Sequence, residues 1–302
     1  DSKKRIWVGT TNGLALYQPD QENFKVFRNN PSSTSSISNN FITTVQEDAN
    51  GKIWVGTRNG LNLWQESTGS FRRYFYAPGE VNIISFLFPD AQKRLWLSIR
   101  DKGVYVLDRN TGSIIKPFVP DTKNPASLTS KTIEVFYQDS RGNIWLGDRV
   151  DNEFGLYRLN EHEDGFTHYL PVSGDSSSIS SNEISFLAED RKHRLWIGTD
   201  GGLNIYHYDK NIFTVFKSPR LSSTNFFTTD KNGEPWFGTY SSGGLISIDV
   251  DNGIITSFDE SKGLLQNDMT GGQNGRIAKD AFGRFWLPTQ RGISVFDPEN
   301  KS

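Results

Sequence analysis

The chain has 302 residues, which is enough for one large all-β domain or two average ones. Its 33 basic and 35 acidic residues give a formal charge of −2, so no charge field points to nucleic acid or an acidic membrane. The absence of cysteine excludes thiol catalysis, cysteine-ligated metals and disulfides, and is compatible with an oxidising compartment.

The first feature along the chain is an aspartate followed six residues later by a tryptophan, and this pair recurs to the C-terminus. The tryptophans are Trp7, Trp54, Trp96, Trp145, Trp196, Trp236 and Trp286, spaced 40 to 51 residues apart. The aspartates are Asp1, Asp48, Asp90, Asp139, Asp190, Asp230 and Asp280. We expect each aspartate to cap a tight turn, because its side chain accepts from nearby backbone N–H groups, and each tryptophan to fill the core.

Four short strands are predicted in each copy. In chain order, the second copy has an alternating strand at 41–45, a turn from Asp48, a strand at 53–55, a turn at 57–60, a strand at 61–64 and an aromatic strand at 71–74. We name these strands A to D and the connections A–B, B–C, C–D and D–A. Four antiparallel strands at this period are typical of a β-propeller, and no 3.6-residue periodicity favours a helical solenoid.

The repeat count predicts one seven-bladed β-propeller over residues 1–302, an all-β fold of four-stranded antiparallel blades. Strands B and C occur seven times, but strands A and D occur only six times. We therefore expect the chain to be a fragment of a longer protein that continues on both sides. No stretch approaches the ~18 apolar residues of a membrane span, so we expect no direct membrane insertion of this segment.

The repeat resembles the two-component regulator propeller repeat. The resemblance rests on copies of [IL]-W-[VIL]-G-T-x-x-G-L and on S-[IL]-S-x-N-x-[IV] at 36–42 and 178–184; Ser98-Ile99 and Pro288 depart from it. It implies an extracytoplasmic, periplasmic sensor region of a membrane-bound histidine kinase or hybrid two-component regulator. Such propellers are common in Bacteroidetes, where many sense carbohydrate breakdown products.

The B–C turns supply the candidate ligand-binding residues. Three consecutive copies place arginine directly after the Thr position, and arginine offers a planar fork of donors suited to carboxylate or sulfate. The candidate site consists of Arg58, Asn59, Arg100, Asp101, Arg149, Asp200, Tyr240, Gln290 and Arg291. The alternative is that each arginine pairs with a neighbouring acid or lies flat on a neighbouring blade.

Neither metal binding nor catalysis is expected. The seven aspartates recur once per blade and cannot converge on one site, and Asp148, Asp151 and Glu153 form no full calcium loop. Streptogramin lyases are seven-bladed propellers that need a histidine near the ring centre, and no histidine follows His207. No nucleophile or phosphate-binding motif occurs, so we expect no cofactor and no catalytic residue.

Three interpretations stay open from the sequence. A sensor propeller predicts a polar pocket with converging arginine and aromatic side chains, an oligosaccharide ligand and a homodimer through the parent receptor. An interaction scaffold predicts a flat apolar patch of several hundred square ångström. A propeller lyase or glycosidase predicts two carboxylates roughly 5 to 10 Å apart in a cleft.

Overall fold

A computed structural model describes residues 1–76, 79–148, 155–221, 224–239, 244–265, 278–289 and 291–300. The strands of these residues form seven antiparallel sheets that follow one another along the chain. The predicted seven-bladed β-propeller is thereby confirmed as a fold class. The chain divides into two compact units, Asp1–Ile133 and Glu134–Ser302, and the prediction of a single domain stays a prediction.

The first unit contains sheets 1 to 3. Sheet 1 is formed by β1 (Trp7–Thr10), β2 (Gly13–Gln18) and β3 (Asn23–Phe27). Sheet 2 is formed by β4 (Ile42–Glu47), β5 (Ile53–Thr57), β6 (Gly60–Gln65) and β7 (Ser70–Tyr74). Sheet 3 is formed by β8 (Ile84–Pro89), β9 (Arg94–Ile99), β10 (Gly103–Asp108) and β11 (Ile114–Phe118). Strand β4 lies beside both β1 and β8.

The second unit contains sheets 4 to 7. Sheet 4 is formed by β12 (Val135–Gln138), β13 (Ile144–Gly147), β14 (Leu156–Leu159) and β15 (Phe166–Tyr169). Sheet 5 is formed by β16 (Ile184–Glu189), β17 (Leu195–Thr199), β18 (Gly202–His207) and β19 (Ile212–Phe216). Sheet 6 is formed by β20 (Thr224–Thr229), β21 (Pro235–Thr239), β22 (Leu245–Asp249) and β23 (Ile254–Phe258). Sheet 7 is formed by β24 (Ala278–Lys279), β25 (Phe285–Thr289) and β26 (Gly292–Phe296), and β16 lies beside β12 and β20.

The strand count matches the sequence expectation. Sheets 2 to 6 hold strands A, B, C and D in chain order, whereas sheet 1 holds B, C and D and sheet 7 holds A, B and C among the described residues. Within each sheet, successive strands pair antiparallel, as in Trp54↔Leu63 and Leu63↔Arg72. This meander places the B–C turns and D–A loops at one end of the strands and the A–B and C–D turns at the other end. We call these two ends the B–C and D–A edge and the A–B and C–D edge.

Each repeated aspartate binds the repeated tryptophan of its own sheet. The indole Nε1–H donates to the carboxylate in all seven copies, at distances from 2.8 Å in Trp96–Asp90 to 3.3 Å in Trp236–Asp230. The same carboxylates accept backbone N–H groups of their turns, as Asp48 does from Asn50 at 2.8 Å. The predicted turn-capping role is confirmed, and the capped turn also holds the indole in the core.

The prediction that all seven tryptophans are core residues is wrong for Trp286, whereas Trp7 packs at the margin of a core cluster. Five of the indoles are fully buried, but Trp7 is half-buried and Trp286 is 39% exposed. Sheets 1 and 7 have three described strands each, so these indoles are covered less completely. The eighth tryptophan, Trp64, packs against Trp7, Phe27 and Phe71, as expected of a packing residue.

The glycine of the W-x-G-T motif is required by close packing against strand A. A Cβ at Gly238 would lie 1.7 Å from the ring of Phe226, and one at Gly56 would lie 2.6 Å from Thr44. Sheet 3 carries Ser98 at this position, and there the hydroxyl accepts from Ser85 Oγ at 2.9 Å and from the Ile133 N–H at 3.1 Å. The departure from the motif is thus compensated by hydrogen bonds.

Candidate functional site

The B–C turns and D–A loops are bonded to each other at one edge of the first unit. The glycine that ends each B–C turn donates its N–H to a D–A loop carbonyl: Gly13 to Asn40 at 2.7 Å, Gly60 to Asn82 at 2.8 Å and Gly103 to Lys131 at 2.8 Å. The candidate residues are therefore presented from turns whose backbone is anchored, which limits the entropy lost on binding a ligand.

A cluster of serine, threonine and asparagine holds the D–A loop against the sheet that follows the loop in the chain. Asn62 accepts from the Ser38 N–H at 2.9 Å and donates to Ser38 Oγ at 2.9 Å, while Ser38 Oγ lies 3.0 Å from Thr57 Oγ1. The second unit repeats the cluster with Ser180, Thr199 and Asn204 at closely similar distances. Both asparagines are fully buried, and their amides are satisfied by these partners.

Sequence reasoning missed the two asparagines. Each follows the glycine and leucine that start strand C, in the G-L-N copies at 60–62 and 202–204. A buried position of a strand that carries asparagine in two copies is a signal for a local hydrogen-bonded cluster, because an unsatisfied buried amide is costly.

Arg58 lies flat on the residue that precedes strand A of its own sheet. Its Cζ is 3.7 Å from the centroid of the Phe41 ring, and its backbone N–H donates to the Phe41 carbonyl at 3.0 Å. The side chain is exposed, and no carboxylate of the described residues forms an ion pair with it. The stacking orients the guanidinium but leaves its hydrogen-bonding edge unpaired.

Arg100 occupies the equivalent turn of sheet 3. Its N–H donates to the Ile83 carbonyl at 2.9 Å, and its exposed side chain has no ion-pair partner within the described ranges. Asp101 follows in a left-handed conformation with φ of 62°, and its N–H donates to Thr132 Oγ1 at 3.1 Å. The Asn59 side chain already has a structural role, because its Oδ1 accepts a hydrogen bond from the Asn82 N–H at 3.3 Å.

In the second unit, Asp200 forms a carboxyl pair with Glu183. The side-chain hydrogen bond to Asp200, followed by burial and the negative charge of Asp200, raises the pKa of Glu183 above its ordinary value. Glu183 lies immediately before β16, and sequence reasoning did not single it out.

Of the four remaining candidate ligand-binding residues, the structure describes only Arg291. Arg291 is exposed at the B–C turn of sheet 7, and its N–H donates to Thr289 Oγ1 at 3.2 Å. Arg149, Tyr240 and Gln290 lie outside the described residues, as do Asp151 and Glu153 of the acidic segment. The structure thus places Arg58 and Arg100 at equivalent turns of adjacent sheets, and whether all nine candidates form one site stays a prediction.

Two cavities lie at the opposite edge of the second unit, between A–B and C–D turns. One has a volume of about 670 Å³ and is lined by residues of sheets 4, 5 and 6, including Arg141, His207 and Phe216. The other has a volume of about 520 Å³ and is lined by residues of sheet 4. Arg141 lines both. None of the candidate residues predicted from the sequence and described by the structure lies at this edge.

Over the described ranges, no group of three or more histidine and acidic side chains is placed to hold a metal ion. Within those same ranges, no helix has the length and apolarity needed to cross a membrane.

Two segments of the chain match a known family model. Residues 36–59 and 178–201 match the model described as two component regulator propeller. Two copies of the repeat are thus similar to the two-component regulator propeller repeat over these residues. Each matched segment of this propeller runs from a D–A loop through strands A and B to the B–C turn, and so contains the pinning serine and threonine of its cluster.

The propeller has a curated relative among histidine kinases. It is 30% identical to "Histidine kinase P4" of Formosa agariphila over 152 residues, which is 45% of this chain and 11% of that protein. The chain therefore spans only a small part of this relative's length.

Solved structures share the fold of the propeller. PorZ, a surface component of the type-IX secretion system of Porphyromonas gingivalis, superposes with a TM-score of 0.65 at 17% identity, covering 97% of this chain and 44% of PorZ. Virginiamycin B lyase of Staphylococcus aureus superposes with a TM-score of 0.62 at 12% identity, covering 98% of this chain and 92% of the lyase. At these identities the likeness concerns the fold alone.

Proposed function

We propose that this chain is a ligand-sensing propeller in the extracytoplasmic, periplasmic part of a two-component regulator. The observation that carries the proposal is the match of residues 36–59 and 178–201 to the two-component regulator propeller. The 30% identity to a histidine kinase over 152 residues supports the same role. The sensor acts without catalysis of its own, and any kinase activity belongs to other parts of the parent protein.

The ligand in this proposal is a carbohydrate held at the B–C and D–A edge. Arg58 is oriented by Phe41, and neither its guanidinium nor that of Arg100 is neutralised by a described carboxylate. A ligand with carboxylate or sulfate groups would gain charge-assisted hydrogen bonds from both arginines. Binding would shift an equilibrium between arrangements of the parent receptor, which acts as a homodimer, by the difference in affinity for the two arrangements.

The rigidity of this edge favours binding. The turns that carry the candidate residues are held by backbone hydrogen bonds. A rigid scaffold with polar side chains on its turns suits recognition.

A thermal-shift screen of the chain against acidic and neutral oligosaccharides tests the proposal. We expect a saturable rise in melting temperature with one glycan class, because a ligand that binds only the folded state stabilises it. Arg58→Ala and Arg100→Ala should diminish that rise, whereas Arg72→Ala, an exposed arginine of β7, should leave it unchanged. A rise of undiminished size in both turn variants would contradict the proposed site, and no rise with any glycan would contradict ligand sensing by this chain.

A second candidate function is an interaction scaffold, which an exposed apolar face of sheet 1 favours. Val8 pairs with Ala15, and Ala15 pairs with Val26, so the three residues lie in one row across the sheet. The side chains of Val8 and Val26 are 38% and 40% exposed. Phe24 on the same sheet is 50% exposed. If a second copy of the chain covers this face, sedimentation should show a dimer that Val26→Asp dissociates; a monomer at all concentrations would contradict this candidate.

A further inference from the structure

The 670 Å³ cavity of the second unit has the size and lining of a ligand site. Small-molecule sites typically enclose ~300–1,000 Å³ and combine apolar walls with a few polar groups. Ile205, Phe216 and Val250 supply apolar surface here, and Arg141, His193 and Asp209 supply polar groups. All lining residues belong to sheets 4, 5 and 6.

Arg141 differs from the other basic residues at its position in the repeat. It lies two residues after the capping aspartate, where sheet 1 has Lys3 and sheet 5 has Lys192. Lys3 is paired with Glu66 at 2.5 Å, and Lys192 is paired with Asp251 at 2.7 Å. Arg141 has no ion pair with any described carboxylate; its partner is an aromatic ring.

One buried carboxylate holds Arg141 and that ring in place. Asp139 accepts the Arg141 N–H at 3.0 Å, the Trp145 indole N–H at 2.8 Å and the Tyr208 hydroxyl at 2.7 Å. Burial, followed by the hydrogen bond to Asp139, raises the pKa of Tyr208, so its hydroxyl stays a donor. The Arg141 Cζ lies 4.1 Å from the centroid of the Tyr208 ring. The guanidinium is therefore pre-oriented before any ligand binds.

The other charges of the cavity indicate what kind of anion suits Arg141. Arg194 is neutralised by Asp190 at 2.6 Å, and Lys192 by Asp251, so Arg141 is the cation whose fork is left open to an anion. Asp209 also lines the cavity but forms no ion pair with Arg141. A ligand with one carboxylate and several hydroxyl groups could bind both residues, because Arg141 binds a carboxylate bidentately and Asp209 accepts hydrogen bonds from hydroxyl groups.

We propose that this cavity binds an acidic mono- or disaccharide, with the sugar carboxylate on Arg141 and hydroxyl groups on Asp209 and His193. The inference rests on the proposed function, since it names the same class of ligand, but it places a second site at the A–B and C–D edge. Arg141 also lines the 520 Å³ cavity.

Titration calorimetry of the whole chain with digalacturonate tests the inference, with digalacturonate dimethyl ester as the uncharged control. We expect saturable binding of the acid and none of the ester. Arg141→Gln should weaken binding at least about tenfold, because it removes a charge-assisted bidentate contact. Arg141→Lys should recover only part of the loss, because lysine keeps the charge without the fork.

Matched variants separate this site from the proposed one. Arg72→Gln removes an arginine held 5.0 Å over Tyr74 in the first unit and should leave the affinity unchanged. Arg58→Gln and Arg100→Gln report on the proposed sensor site at the opposite edge and are measured beside Arg141→Gln. If those two variants abolish binding and Arg141→Gln does not, the proposed sensor site stands and this inference is overturned. No binding of digalacturonate, or equal binding of the ester, overturns it as well.

Discussion

Replacing Asp190 by asparagine should destabilise the second unit by about 3 kcal/mol. The carboxylate is 4% exposed and accepts four hydrogen bonds: the N–H groups of Lys192 at 2.9 Å and Arg194 at 3.2 Å, the Arg194 Nε at 2.6 Å and the Trp196 Nε1 at 2.8 Å. When asparagine keeps its oxygen on the two backbone N–H groups, it turns an NH₂ group towards the Arg194 and Trp196 side-chain donors, which lose their acceptor.

The magnitude follows from those two contacts. Each charge-assisted hydrogen bond is worth about 1.5–3 kcal/mol, and breaking a buried ion pair costs about 3–5 kcal/mol. The Arg194 side chain is 20% exposed, so water recovers part of the loss and the lower end of the range applies. Arg194→Gln, which keeps the turn and the indole bond, should cost about 1 kcal/mol.

Urea unfolding followed by tryptophan fluorescence measures these differences. Asp209→Asn is the matched control, because Asp209 is an exposed aspartate of the same sheet with no hydrogen bond or ion pair among the described residues. It should change the free energy of unfolding by no more than about 0.5 kcal/mol. A loss below about 1 kcal/mol in Asp190→Asn would refute the claim that this carboxylate holds the turn and the indole together.

Two further predictions concern the B–C and D–A edge. Asn204→Ala should lower the free energy of unfolding by about 2 kcal/mol, because the Ser180 N–H and hydroxyl lose their buried partner. Hydrogen exchange should then speed up in the D–A loop around Ser180, and unchanged exchange would contradict the pinning role. Glu183→Gln should flatten the pH dependence of stability. The pKa of Glu183 is raised in the folded state, first of all by the hydrogen bond to Asp200. Protonated Glu183 therefore stabilises the fold fully below its unfolded pKa of 4.5, and this stabilisation is lost as the pH rises through the folded pKa. Equal slopes for wild type and variant from pH 4.5 upward would rule out the carboxyl pair.

The fold was predictable because its main contacts are local and repeated. Asp48 and Trp54 are six residues apart and bind each other across one turn, and the same spacing recurs in every sheet. The burial of each tryptophan was less predictable, because it depends on the neighbouring sheets. Trp236 is fully buried, while Trp286, in the same sequence frame, is 39% exposed.

The candidate site was predictable only in part. The alignment placed Arg58 and Arg100 at equivalent B–C turns, but it did not reveal that Phe41 orients Arg58 or that Asn59 is used to hold the Asn82 N–H. These contacts join residues 17 and 23 positions apart, and no spacing rule connects them. Glu183 was missed for the same reason.

The cavity beside Arg141 left a faint sequence signal. Four sheets place arginine four residues after the capping aspartate, as in Arg94 and Arg194, where it neutralises that carboxylate. Sheet 4 has Asn143 there, which donates to Asp139 at 2.8 Å, and its arginine is shifted to Arg141. The changed position indicates that Arg141 does not pair with the capping aspartate as the other arginines do. Its surroundings become known only from the folded sheets.

The central claim, that this chain binds a carbohydrate at the B–C and D–A edge, is tested most directly by hydrogen-exchange mass spectrometry. The chain is compared with and without the glycan that gives the largest thermal shift. The account predicts protection of the turns around Arg58 and Arg100 and of the D–A loops bonded to them, with no protection in Arg58→Ala. Protection confined to other parts of the chain, or an equal pattern in the variant, would contradict it.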